Sequence, residues 1–210
     1  MGSLKFPHAS GNSMSIAAPA TNPASDLELK LPATVGTAGQ VLQTDGNGNL
    51  SWVNKPTSEF DIWILASDAT NDQNPITGWA RSTSSTATYV GTGMSHSSGV
   101  FTFPSTGKWH IKYHAGVKGD NIAEVRSKSY IDVSTDSGSN WTTITRSYAT
   151  FHASGMATYE GADTDDVMDV TNASTFRVRF GIEFSNSSAE VMGASNTTYT
   201  YVIFHKLAET

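Results

Sequence analysis

The densest cluster of potential ligands is Glu160-Gly161-Ala162-Asp163-Thr164-Asp165-Asp166-Val167-Met168-Asp169. Hard carboxylate oxygens at such spacing can hold Ca²⁺, with Asp163, Asp165, Asp166 and Asp169 as ligands of an acidic loop, although the run does not match the EF-hand pattern. The alternative is a solvated loop whose carboxylates keep the surface polar. His110, Lys112 and His114 form a second group, on alternate residues that project the same way from a strand. Two imidazoles can ligate zinc, but the lysine between them repels a cation. The face is therefore read as meeting solvent or a neighbouring subunit, where histidines titrate near neutrality. The third group is Ser134-Thr135-Asp136-Ser137-Gly138-Ser139-Asn140-Trp141, read as a structural turn: Asp136 accepts backbone N–H bonds, Gly138 permits positive φ and Trp141 packs beneath.

Other chemistry is thinly represented. The sequence holds no nucleophile elbow, metalloprotease motif or glycine-rich phosphate loop. Glycosidase carboxylates converge only in three dimensions, and nothing singles out Asp61, Glu124, Glu183 or Glu190. With no catalytic residues to name and no cofactor required beyond the calcium option, the chain is read as a binding protein and not an enzyme. Lysine and arginine number 13 against 19 aspartates and glutamates, a net charge of −6, which supplies no basic footprint for nucleic acid. The absence of cysteine removes disulfides and thiol chemistry. No apolar run reaches the length of a membrane span, and Met1 to Pro7 lacks the pattern of a secretory signal.

The elements that must position these groups are strands. Serine and threonine make up about a quarter of the 210 residues, alongside 18 glycines, and no stretch sustains a helical apolar period. Residues 1–55 are read as one segment: Leu27 to Leu31 alternates as a short strand stopped by Pro32, and Gln40 to Thr44 and Leu50 to Val53 form a hairpin across an Asp-Gly-Asn-Gly-Asn turn. That hairpin has little to bury its apolar side and requires a partner, most simply its own copies. Lys55-Pro56-Thr57-Ser58 is the predicted boundary.

Residues 56–210 are read as an all-β body of eight to ten short strands. Phe60 to Leu65 carries apolar residues on both faces, with weak strands expected near Trp79 to Arg81 and Ala87 to Val90. Phe101 and Phe103 precede a turn, after which Trp109, Ile111 and Tyr113 share a face opposite His110, Lys112 and His114. Ser129 to Val133 and Trp141 to Ile144 flank the Asp136 turn. Phe176, Val178, Phe180, Ile182 and Phe184 form a strict stripe. Tyr199, Tyr201 and Ile203 oppose Thr200, Val202 and Phe204 in a closing strand expected at a sheet centre or a subunit interface. Phe101, Phe103, Trp109, Ile111, Tyr113, Tyr199, Tyr201 and Phe204 are accordingly assigned to core or trimer interface.

Two resemblances arise from these segments. Gly36 to Val53, with its Gly-Thr-Ala-Gly-Gln-Val-Leu, Gly-Asn-Gly-Asn-Leu and Ser-Trp-Val pieces, resembles a module of bacteriophage tail fibres and appendages, notably from marine and cyanobacterial hosts. Ala18 to Ser25 and Leu27-Glu28-Leu29 resemble its usual lead-in. Gly99 to Pro104, Gly107-Lys108-Trp109-His110-Ile111 and Tyr199 to Phe204 resemble the signature strands of C1q and tumour-necrosis-factor-like jelly rolls. Ser134 to Trp141 also matches the Asp-box of sialidase-like propellers, but it occurs once, and a propeller repeats it in every blade.

The resemblances imply an all-β protein in which a C1q/TNF-like jelly-roll sandwich follows a short β-rich stalk. They also imply homotrimeric assembly, and calcium near the trimer axis, as some C1q-like heads hold. The expected role is a virion-located, fibre-like appendage whose amino-terminal segment joins other virion proteins and whose head binds a host-surface glycan or protein, with no nucleic-acid partner and no membrane insertion. Three equivalent sites on one rigid body sum weak contacts into durable attachment. The alternatives are a decoration or head-fibre protein that stabilises the particle, and a glycan depolymerase tip.

Overall fold

A computed structural model describes residues 3–17, 19–21, 23–54, 59–81 and 89–210. The Lys55 to Ser58 link and the Ala87 start of one weak strand lie outside these residues. Contacts divide the chain into two units, Met1–Lys55 and Pro56–Thr210.

The first unit contains two hairpins, β1 (Ser3–Pro7) with β2 (Ser13–Ala17) and β3 (Gln40–Thr44) with β4 (Leu50–Asn54). At the tip of the second, Asp45 Oδ1 accepts from the N–H groups of Asn47 at 2.8 Å and Asn49 at 3.1 Å, while Oδ2 accepts from Asn49 Nδ2 at 2.6 Å. The strand expected over Leu27 to Leu31 does not form. Lys30 makes a single bridge to Asn49, and all three leucines stay largely exposed. Alternation alone does not hold a strand that has no neighbour to pair with.

The second unit begins with β5 (Phe60–Leu65), β6 (Ser67–Thr70), β7 (Trp79–Ala80), β8 (Tyr89–Val90), β9 (Ser95–Ser97) and β10 (Val100–Thr102). It continues with β11 (Gly107–Ser134), β12 (Thr142–Val170), β13 (Arg177–Phe184), β14 (Ala189–Ala194) and β15 (Tyr201–Ala208). β11 and β12 are far longer than the separate short strands read from sequence. They form one antiparallel hairpin from the Gly107 and Val170 pair to the Val133 and Thr142 pair, broken by register shifts between Asp120 and Val125. Such irregularities let a strand bend and pass from one sheet to another.

The hairpin thereby belongs to two layers. Its Lys108 to His114 stretch pairs with β15, which pairs in turn with β5, and β5 with β7 and β8. Its Ser127 to Ser134 stretch pairs with β13, followed by β10 and β9. The closing strand β15 therefore sits inside the first sheet, between β5 and β11.

Alternation decides what lies between the sheets. Trp109, Ile111 and Tyr113 from the first sheet, and Val178, Phe180 and Ile182 from the second, are at most 1% exposed. Phe101 is the hub, with ring centroids 5.1 Å from Phe204, 5.6 Å from Phe180 and 5.7 Å from Trp63. Each such side chain contributes about 1.5–3 kcal/mol through burial, before edge-on ring contacts are counted. Of the eight residues assigned to core or interface, Phe101, Phe103, Trp109, Ile111, Tyr113 and Phe204 are core, whereas Tyr199 and Tyr201 face outward.

Candidate functional site

The outward face of the first sheet gathers most of the chemistry singled out in the sequence. Lys108, His110, Lys112 and His114 alternate along β11 with the core residues and stand beside Asp169, Asp165 and Asp163 of β12. Lys108 Nζ lies 2.7 Å from Asp169, His110 Nε2 3.1 Å from Asp165, and Asp163 receives both His114 Nδ1 at 3.0 Å and Lys112 Nζ at 3.2 Å. Burial acts to raise the Asp163 pKa, but the bonds from His114 and Lys112 outweigh it and hold the carboxyl below its usual range. The hydrogen bond to Asp163 raises Lys112 in return.

The acidic run is thus a strand and not a loop. Alternation puts Asp166 on the opposite face of β12 from Asp163, Asp165 and Asp169, so the four carboxylates do not converge on one cation. Among the described residues no group of three histidine, aspartate or glutamate side chains is placed to hold a metal ion. The even spacing of Asp163, Asp165 and Asp169 carried this information, since period two marks a strand.

The ladder continues where sequence reading stopped. Lys118 keeps the phase of His110 and His114 and lies 2.9 Å from Asp68 and 2.8 Å from Glu190, whose hydrogen bonds raise its pKa. Asp68 also accepts from the Gly193 N–H at 2.7 Å. Asp68 and Glu190 arrive on β6 and β14, which pair with each other far from β11 in sequence, and no local signal announces them.

Beside the charges runs an apolar and aromatic stripe. Tyr201 stacks on His114 at 5.0 Å and 21°. His114 in turn occupies the space over Gly161, where a Cβ would come within 2.7 Å of the imidazole. Tyr199, Val167, Leu207 and Tyr159 are 44–62% exposed on or beside this face. Tyr159, Tyr199, Met192 and Lys118 line a cavity of 480 Å³ at its end.

The hairpin tip, β11 to β12, carries the Asp136 turn. Asp136 accepts from Ser134 Oγ at 2.7 Å and from Asn140 N–H at 2.9 Å and Nδ2 at 2.7 Å, bonds that lower its pKa to about 2. Gly138 has φ +93°, and its open side faces the Trp141 ring. Arg179 lies 4.2 Å over that ring while binding Asp132. Asp45 and Asn49 repeat the same aspartate and asparagine pairing in the first unit. Asp61 is committed to an internal ion pair with Arg81, and the Glu124 side chain lies outside the described ones.

No protein-family model and no curated protein matches the sequence. Among solved structures, murine APRIL at pH 5.0 aligns with a TM-score of 0.51 at 11% identity, covering 71% of this chain and 99% of that one. The Eiger TNF of S. frugiperda aligns with a TM-score of 0.49 at 8% identity, covering 72% and 95%. At these identities the likeness concerns architecture. The chain is an all-β protein with a jelly-roll sandwich of the TNF type.

Proposed function

We propose that this chain is a non-enzymatic structural protein of a bacteriophage virion, a homotrimeric, fibre-like appendage whose head binds a host-surface molecule. Its observational basis is the outward face of the first sheet. Tyr159, Val167, Tyr199 and Leu207 stay exposed among mutually paired charges, a mixture of aromatic, apolar and polar groups that suits a self-associating surface. The TNF-type jelly roll supports a threefold arrangement of such faces. The amino-terminal unit, with its two small hairpins, would join other virion proteins, and the wording of Gly36 to Val53 supports the phage origin. Binding and not turnover is the expected work, because the charged groups of this face neutralise one another.

Light scattering at high and low protein concentration tests the assembly. The expected species weighs three times 22.4 kDa, about 67 kDa. A persistent 22.4 kDa monomer overturns the proposal. Fluorescently labelled protein that binds host cells supports the attachment role, whereas labelling only of virions that lack the protein supports decoration instead.

A further inference from the structure

The outward face of the second sheet carries a groove that self-association through the first sheet leaves open. Strand register places Lys128 between Tyr148 on β12 and Glu183 on β13, so the three side chains rise together from one face. Lys128 is bound to Glu183, and its Nζ lies 5.4 Å from the centre of the Tyr130 ring. Tyr148 is 67% exposed. Lys128, Tyr148 and Glu183, with Arg126, line a cavity of 460 Å³ that reaches Phe184 and Ser185. A second cavity of 240 Å³, lined by Asn71 and Asp72, also touches Phe184 and Ser185. Asp72 is fixed there by accepting from the Phe184 N–H at 2.8 Å.

The chemistry matches a sugar chain. A pyranose ring offers an apolar C–H face, which seats on an exposed aromatic ring, and a rim of hydroxyls that each donate and accept. Tyr148 provides the ring. Lys128 and the Asn71 amide provide donors, and Glu183 and Asp72 provide acceptors already held in place by their own bonds. Two cations, Arg126 and Lys128, balance the two carboxylates, so the groove selects no net charge. The larger cavity is of ligand-binding size, and the smaller lies next to it across Phe184 and Ser185.

We infer that this groove binds a neutral oligosaccharide of two or three units, with Tyr148 stacking on one ring and Lys128, Glu183 and Asp72 binding its hydroxyls. The inference rests on the reading of the head as a host-attachment body. It names the ligand class and places the site on the sheet that a self-associated head would leave outermost, where three weak sites act together.

The test is an array of neutral hexose and N-acetylhexosamine oligosaccharides together with sialylated ones, probed with the full chain, followed by calorimetric titration of any sugar bound. A neutral oligosaccharide is expected to bind. Tyr148→Ala should weaken it about tenfold and Lys128→Ala similarly, while Tyr148→Phe, which keeps the ring, stays within about twofold. Unchanged thermal unfolding establishes that the substitutions at exposed Tyr148 and half-buried Lys128 leave the fold intact. Binding of sialylated sugars alone, binding unaffected by Tyr148→Ala and Lys128→Ala, or no binding at all overturns the inference. If no sugar binds but labelled protein still coats host cells, only the groove falls; if neither occurs, the attachment reading falls with it.

Discussion

Asp61 offers a direct test of how the edge of the first sheet is held. Its carboxylate is 1% exposed and accepts from Arg81 Nη2 at 2.8 Å, Arg81 Nε at 3.3 Å and the Met94 N–H at 2.6 Å. Arg81 is clasped between the rings of Trp63 at 4.3 Å and Tyr89 at 4.5 Å. Asp61→Ala would strand a partly buried guanidinium and leave the Met94 N–H unpaired. Losing one partner of a buried pair costs about 3–5 kcal/mol. The Arg81 side chain is 32% exposed, so water recovers part of this, and the orphaned N–H adds a term that overlaps with it. The expected loss is about 3–4 kcal/mol, which for a body of this size lowers the unfolding midpoint by about 10 °C. Thermal and urea unfolding at one fixed protein concentration measure it, since assembly makes the midpoint concentration-dependent. Asp61→Ala combined with Arg81→Met should lose less than the sum of the single variants, because the stranded charge is gone. A single-variant loss below about 1 kcal/mol, or strict additivity, would refute the argument.

Three further outcomes are expected. Gly181→Ala places a methyl within 2.2 Å of the buried Tyr130 ring and should destabilise by about 1–3 kcal/mol in urea unfolding, an effect that Tyr130→Ala in the same chain relieves. Asp163 has its pKa depressed in the folded head, so its bonds stabilise fully above the range where the unfolded carboxyl titrates and fade as pH falls through the folded value. The stability gap between wild type and Asp163→Asn, followed by thermal unfolding, should therefore narrow below about pH 4 and remain open at neutral pH. Removing Tyr199 to Leu207 takes out a strand hydrogen-bonded on both sides, and circular dichroism should show loss of the cooperative transition; a soluble truncated chain with an intact transition would contradict this.

What the sequence determined by itself was the local and periodic part. Alternation at Trp109, Ile111 and Tyr113, and again from Phe176 to Phe184, identified strands and their buried faces, because side chains in a strand repeat every two residues whatever the fold. The Asp136 and Gly138 turn was legible for the same reason, since its bonds span four residues. The tertiary structure decided everything that depends on which strands become neighbours. Leu27 to Leu31 had the right alternation and found only one bridge, while the acidic run from Glu160 became a strand once β11 lay beside it, turning a candidate calcium loop into a ladder of ion pairs. The bend that carries β11 and β12 across both sheets is a property of their mutual register, which neither strand encodes alone. Lys118 could have been placed by continuing the alternation, but its partners Asp68 and Glu190, and the Tyr148, Lys128 and Glu183 row, are joined across dozens of residues of chain by sheet pairing. Burial of Asp61 likewise required the Met94 backbone and Arg81 to arrive together, since a carboxylate is stable inside only when folding delivers its donors.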